Sequence, residues 1–435
     1  ITRVRIGPQV KCIPVGTFRG CSNLAEVHFN EGLEVIRDSA FEGCSNLAAV
    51  QFDEGAQLQV IEGYAFSHCA ALQSVTFPST ITKLGNSAFN GCSNLADVHF
   101  NEGLEVIGDS AFHNCTMLRS VAIPSSVTTL GWRALMNCTN LTRVRIGLQV
   151  KCIPVGTFRG CSNLALVQFD EGALLQTIEG DGAFFGGGAF LNCTALQSVT
   201  FPPTITKLGH GAFKGCSNLT EIQLNDGLRA IEERAFHSCE ALQKVTIPSS
   251  VIKLGSNAFA ACSNLAQVQL KEGLKLIEMG AFSHCKALQK VNLPSSAINL
   301  GGFTFLGCIN LAEVHFNAGL KVIGESAFRG CNALQQVTIP PSVAILEKCA
   351  FRACTNLTEV ILLGGGRFFS QGFLDHGLSN EGGALNQNIL NKMVCSSNVS
   401  AFAFAGCPLT NIKISTPPSL SKRMARRMAQ LPEVC

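Results

Sequence analysis

Sixteen of the chain's cysteines fall in one series, and that series narrows what the chain can become. It runs through Cys21, Cys44, Cys69, Cys92, Cys115, Cys138, Cys161, Cys193, Cys216, Cys239, Cys262, Cys285, Cys308, Cys331, Cys354 and Cys407. Successive members are 23 residues apart except for steps of 25 (Cys44 to Cys69), 32 (Cys161 to Cys193) and 53 (Cys354 to Cys407). A fixed period of this size marks a stacked repeat array, not the two or three globular domains that 435 residues would otherwise suggest. A cysteine that returns once per structural unit behaves as a small apolar core residue. Buried, reduced thiols are therefore expected. The odd total of 21 leaves at least one cysteine without a partner in the chain whatever the pairing.

Each cysteine sits in the frame Ala-Phe-x-x-Cys-x-x-Leu-x-x-Val-x-Phe/Ile/Leu, which residues 86–100 show in full. The Val-x-Phe piece alternates with period 2 and is rich in β-prone residues, so it reads as a short strand. Val98 and Phe100 point inward and His99 outward. A turn of one of two kinds follows, Asn-Glu-Gly (101–103) or Pro-Ser-Ser (124–126). The two kinds alternate along most of the chain, giving a super-period of 46 residues. A second inward residue comes next, Ile107 or Leu130. Gly-Asp-Ser (108–110) then reads as the cap of one helical turn carrying Ala-Phe. One such unit cannot bury its apolar residues alone, but stacked units close a common core. About 17 strand slots are expected, the first centred on Val4 and the last on Ile412. The aromatic usage, 29 Phe against one Trp and one Tyr, fits a single slot that demands Phe in every unit.

The pattern resembles the BspA-type leucine-rich repeat family, whose unit has the spacing Leu-x-x-Leu-x-Leu-Pro followed by Ile-Gly-x-x-Ala-Phe-x-x-Cys. Residues 118–131 and 242–262 match it nearly position for position, and the resemblance covers residues 1 to about 363 and again 402–414. It implies an α/β solenoid: a curved, right-handed coil with a continuous parallel β-sheet on the concave face and short helical or 3-10 turns on the convex face. It also implies a non-enzymatic module for protein–protein recognition, a scaffold or a subunit of a larger assembly. The alternative it carries is an extracellular or cell-surface adhesion protein binding host or matrix proteins. Three regions are expected: the solenoid (1–363, beginning mid-repeat), an irregular insertion (364–401), and a last partial repeat with a basic C-terminal capping helix (402–435).

Residues 2–25 recur at 142–165 with a single difference, Pro8 against Leu148, so the array has grown by duplication. The irregular places are then the more informative ones. Residues 179–190 add a Gly-rich bulge with a doubled Ala-Phe, and no Gly-Lys-Ser/Thr follows it. The sixth unit has Leu135 in place of Phe and carries the single Trp, Trp132. This ring either folds over the gap left by Leu135, the reading favoured here, or stands exposed as an anchor for a partner. The tail from Ser421 to Leu431 places Met424, Met428 and Leu431 on one helical face. It caps the stack or, through its four basic residues, touches an acidic surface.

Chemistry needs converging titratable groups, and the nine histidines are scattered. No Cys-x-x-Cys frame offers a zinc site, and no cofactor is expected. A charged fraction of 14% and a net charge of +3 are too slight to call for nucleic acid or an anionic membrane by electrostatics alone. No stretch approaches the roughly 18–20 apolar residues of a membrane span. Reduced thiols lean toward an intracellular setting, whereas a leader preceding Ile1 would make the chain secreted. The expected working surface is the outward column of the strands with its flanking positions: His28, Gln51, His99, Arg143, Arg145, Gln168, Gln223, Lys244, Gln269, Lys290 and His315, all directed at a protein partner.

Overall fold

The computed structural model describes residues 1–182, 187–363 and 403–415. The core of the Gly-rich bulge, the insertion and the basic tail with Met424, Met428 and Leu431 lie outside them. The chain divides into two compact units, Ile1–Ser250 and Val251–Cys435.

Each coil contributes one principal strand from its Val-x-Phe piece, and among the described residues there are seventeen, from Arg3–Arg5 to Asn411–Ser415. Pairing is parallel and in the register of the repeat: Val4 lies opposite Val27, and Val121 opposite Val144. Alternation does the sorting. In Ser120–Ile123, Val121 and Ile123 are buried while Ser120 and Ala122 are exposed. A second series of two-residue strands follows each turn, as in Val35–Ile36, Val106–Ile107 and Thr129–Leu130 of the first unit. The second unit repeats it in Leu276–Ile277 and Val322–Ile323. The extra residues before Cys193 are absorbed without loss of register, since Thr177 still pairs with Lys207 and Ile178 with Leu208.

The Ala-Phe segment departs from expectation: among the described residues there is no helix and no 3-10 turn. Two residues per coil stop it. Ser87 and Gly91, with φ of 56° and 74°, bracket Ala88-Phe89-Asn90, and the same two positions are left-handed in most coils. Three right-handed residues between two left-handed ones cannot start a helix, whose first turn must fix several consecutive residues. The N–H groups divide their bonds instead. Ser87, Phe89 and Gly91 donate to Asp109, Ala111 and His113 of the next coil at 2.7–2.8 Å. Asn90 and Cys92 turn back to Ser87 and Phe89. This closing segment thus joins coil to coil, as the strands do. Glycine before it allows close approach, for a Cβ on Gly108 would meet the Gly85 carbonyl carbon at 2.6 Å.

The expected continuous principal sheet is also divided, and every division falls before a strand that a proline follows. Asp53, directly after its strand, donates its N–H to Phe29 of the coil before, and Asp170 does the same to Ile146. In other coils Pro78, Pro124, Pro202, Pro248 and Pro340 hold that position and have no N–H to give. At each of them the strand is unpaired with the one before it; Ser74–Thr76 pairs forward with Asp97–His99 but not back to Ala49–Phe52. At Pro294 the pairing shrinks to Gln267 opposite Lys290.

The alternation of turns has a matching logic. Asn101 donates from its side-chain amide to the Pro78 carbonyl of the coil before, and Asn225 to Pro202. In the following coil Ser126 and Ser250 donate back to the carbonyls of Leu104 and Leu228. Glu102 and Glu272 accept the backbone N–H groups of Ser125 and Ser295. Each turn type thereby caps groups that the other leaves open.

The core is layered. The Phe rings stack along each unit, with centroids 5.1 Å apart for Phe41 and Phe66 and 5.3 Å for Phe89 and Phe112. In the second unit Phe305 and Phe328 repeat the contact at 5.3 Å. Leu135 interrupts the stack and is itself buried. The cysteine column lies beside the rings as free thiols. Most of these thiols donate to the carbonyl of the Phe one coil back, at 3.1 Å from Cys92 to Phe66 and 3.2 Å from Cys216 to Phe190, and Cys161 donates to Leu135 in the coil that lacks the Phe. Burial pushes both thiols up to about 12.

Candidate interaction surface

The outward positions of the principal strands form the candidate surface, because alternation leaves them no place in the core. Gln51, His99, Arg143, Arg145, Gln168, Gln223, Lys244, Gln269, Lys290 and His315 are all exposed, and His28 is half-buried. Parallel register fixes the order in which they follow one another. His28 sits beside Gln51, Thr76 beside His99, and Arg145 beside Gln168.

The residues separate into those bound to neighbours and those left over. His28 Nε2 lies 2.6 Å from Asp53 Oδ1 in the next coil. Arg145 Nε lies 2.6 Å from Asp170 Oδ1, and the other oxygen of that carboxylate accepts from Ser125 Oγ at 2.8 Å. Asp170 thus ties together residues from three coils. In the second unit Lys290 Nζ reaches Glu313 at 2.7 Å, and His315 Nε2 stands 3.4 Å from the same carboxylate. The hydrogen bonds from Lys290 first and His315 second hold Glu313 below the usual carboxylate range. Gln223 is turned along its own strand to Glu221. Among the described residues His99, Arg143 and Lys244 have no charged partner within 4 Å.

His28 and His99 are three coils apart, with the strands Ala49–Phe52 and Ser74–Thr76 between them. No group of three or more His, Cys, Asp or Glu placed to hold a metal ion occurs among the described residues. Trp132 corrects the favoured reading. The ring is 61% exposed and leaves Leu135 to be covered by other core residues. It follows the short strand Thr129–Leu130, so it stands off the principal-strand face. Its backbone N–H is held by Asp109 and its carbonyl by Ser110.

The family model for the BspA-type leucine-rich repeat region matches residues 1–107, 82–187, 183–301 and 275–373. The chain belongs to this family. A leucine-rich repeat protein from Bacteroides ovatus has a similar crystal structure, with 30% identity and a TM-score of 0.67 over 78% of this chain and 87% of that one. A leucine-rich cell-surface protein from Faecalibacterium prausnitzii aligns with 20% identity and a TM-score of 0.40 over 97% of this chain and 90% of that one. No curated protein matches the sequence.

The BspA-type repeat accounts for the buried Leu, Val, Phe and Cys positions, and so for what is left outside. Sequence reasoning found the outward column but missed the ties across it. Asp53 and Asp170 are turn residues by sequence, and their reach onto His28 and Arg145 depends on how the neighbouring coil sits. It also missed the seams. The signal for those was present: a proline immediately after a strand, where a ladder donor belongs. No helix of the described residues is long and apolar enough to cross a membrane.

Proposed function

We propose that the chain is a non-enzymatic recognition module that binds a protein partner through its principal-strand face, as a scaffold or a subunit of a larger assembly. One observation carries this reading: successive coils hold exposed polar side chains in order, and His99, Arg143 and Lys244 among them have no charged partner within 4 Å among the described residues. A row of hydrogen-bonding groups set out by a rigid stack loses little conformational freedom on binding. Specificity over a broad polar area then comes from many matched hydrogen bonds.

The test is affinity capture followed by charge reversal. A partner recovered on the wild-type chain should be lost, or weakened at least about tenfold, by Arg143→Glu combined with Lys244→Glu. Trp132→Ala, which alters a different face, should leave the capture intact. Equal recovery on the charge-reversed chain, or loss on Trp132→Ala alone, contradicts the assignment of this face.

A further inference from the structure

The seam before Pro248 differs from the other seams in what faces across it. Pro248 has no N–H to offer the Leu224 carbonyl, and the strands Glu221–Gln223 and Lys244–Ile247 are unpaired. A groove of about 670 Å³ opens between them, within the range of small-ligand sites. Ile222 and Val245 lie beneath it, with their side chains buried in the core. Its walls carry a carboxylate on one side, Glu221, and an ammonium group on the other, Lys244.

Glu221 and Lys244 are the first residues of their strands, the place held by Arg3 and Glu26 and by Lys290 and Glu313 where strands do pair. Those pairs close to 3.0 Å and 2.7 Å. Here the charges do not meet: the contact Glu221 makes is with Gln223, and Lys244 has none with any carboxylate among the described residues. The other seams lack this arrangement, with Ala49 facing Ser74, Asp97 facing Ser120, Leu166 facing Ser198, and Glu313 facing Gln336.

We propose that this groove binds a small zwitterion, a ligand with a cationic and a carboxylate group a few ångströms apart. The cation pairs with Glu221 and the carboxylate with Lys244. Gln223 and Thr246 line the same groove. The free α-amino acid is the simplest such ligand, and a Lys and Glu side-chain pair on a polypeptide has the same chemistry. The proposal does not require a protein to dock on this face, so it stands or falls separately from the capture experiment above.

The experiment uses the full chain and L-glutamine as probe, followed by saturation-transfer NMR and calorimetric titration. N-acetyl-L-glutamine lacks the cation and L-glutaminamide lacks the carboxylate. Each analogue should bind about tenfold or more weakly than glutamine, as expected for a lost hydrogen bond between charged groups. Glu221→Gln and Lys244→Gln, both at exposed positions, should each cost about the same factor, and the exchanged pair Glu221→Lys with Lys244→Glu should restore binding to a ligand that turns round. An acetylated and amidated Lys-Glu dipeptide separates the two sources: binding tighter than glutamine points to a polypeptide, weaker binding to the free amino acid. No saturable binding of glutamine or the dipeptide overturns the proposal. So does equal binding of the singly charged analogues, or indifference to both single variants.

Discussion

The thiol of Cys115 donates a hydrogen bond to the carbonyl oxygen of Phe89, 3.2 Å away in the coil before. That carbonyl also accepts the N–H of Cys92 in its own coil. A single oxygen therefore joins the closing segment of one coil to the core residue of the next. The arrangement recurs along the column, from Cys138 to Phe112 and from Cys331 to Phe305. It gives the repeating cysteine a directional role beyond filling space.

Replacing Cys115 by Ala removes both the sulfur volume and the donor. The expected cost is about 1–3 kcal/mol, less than for a large aliphatic side chain because the lost volume is small. Contacts run mostly between neighbouring coils and reach no further than about two, so the loss should be local. Hydrogen exchange should quicken at amides 87–92 and 110–115 and stay unchanged beyond about two coils. A uniform change along the chain would contradict a coil-by-coil account.

Pro124 follows the strand Ser120–Ile123, which pairs with Arg143–Ile146 on one side and is open on the other. Pro124→Ala supplies the missing donor opposite Phe100. The gained ladder bond is worth about 1 kcal/mol, and the freer unfolded chain costs about 0.4–1 kcal/mol, so net stability should barely move. The new amide at position 124 should nonetheless be protected from exchange. Rapid exchange there would mean that the seam has a cause other than proline.

Glu272 accepts the backbone N–H groups of Ser295 and Ser296 and the hydroxyl of Ser295. These bonds, the backbone N–H of Ser295 first, hold its carboxyl below the ordinary range. A carboxyl with a depressed folded pKa stabilises the fold above its unfolded value, near 4.5, and loses that contribution as pH falls through the folded value. The Ser295 and Ser296 amides should therefore open as the medium is acidified below about pH 4.5. Glu272→Gln should remove that pH dependence. Persistence of the same acid response in the variant would assign it to another group.

Much of this was legible in the residues themselves. The strand register, the inward Val and Phe, and the buried thiols all follow from a period that is strict and from side chains that alternate. The closing segment was not. Ala-Phe-x-x-Cys has the spacing of one helical face, so Phe89 and Cys92 read as neighbours on a turn, which they are, but not on a helix. What decides is the backbone at Ser87 and Gly91, and the left-handed residues elsewhere include Asn114, His68 and Arg133 as well as glycine. Composition hides a conformation that so many residue types adopt. Trp132 misled for a related reason: a small residue at Leu135 suggests a gap, but its neighbours close over it and the ring remains outside. Pro124 was read as a turn signal, which it is, while its second effect on the ladder lies in the coil before.

Selective alkylation tests the layered column most directly. Iodoacetamide applied to the folded chain, with peptide-level mass spectrometry, should modify Cys12, Cys152 and Cys349 ahead of Cys92, Cys115, Cys216 and Cys308, which are buried and held as neutral thiols. Denaturation without reductant should then expose every column thiol to the reagent. Column cysteines that react in the folded chain as fast as Cys12, or that stay unreactive after denaturation because they are bonded to one another, would contradict the account.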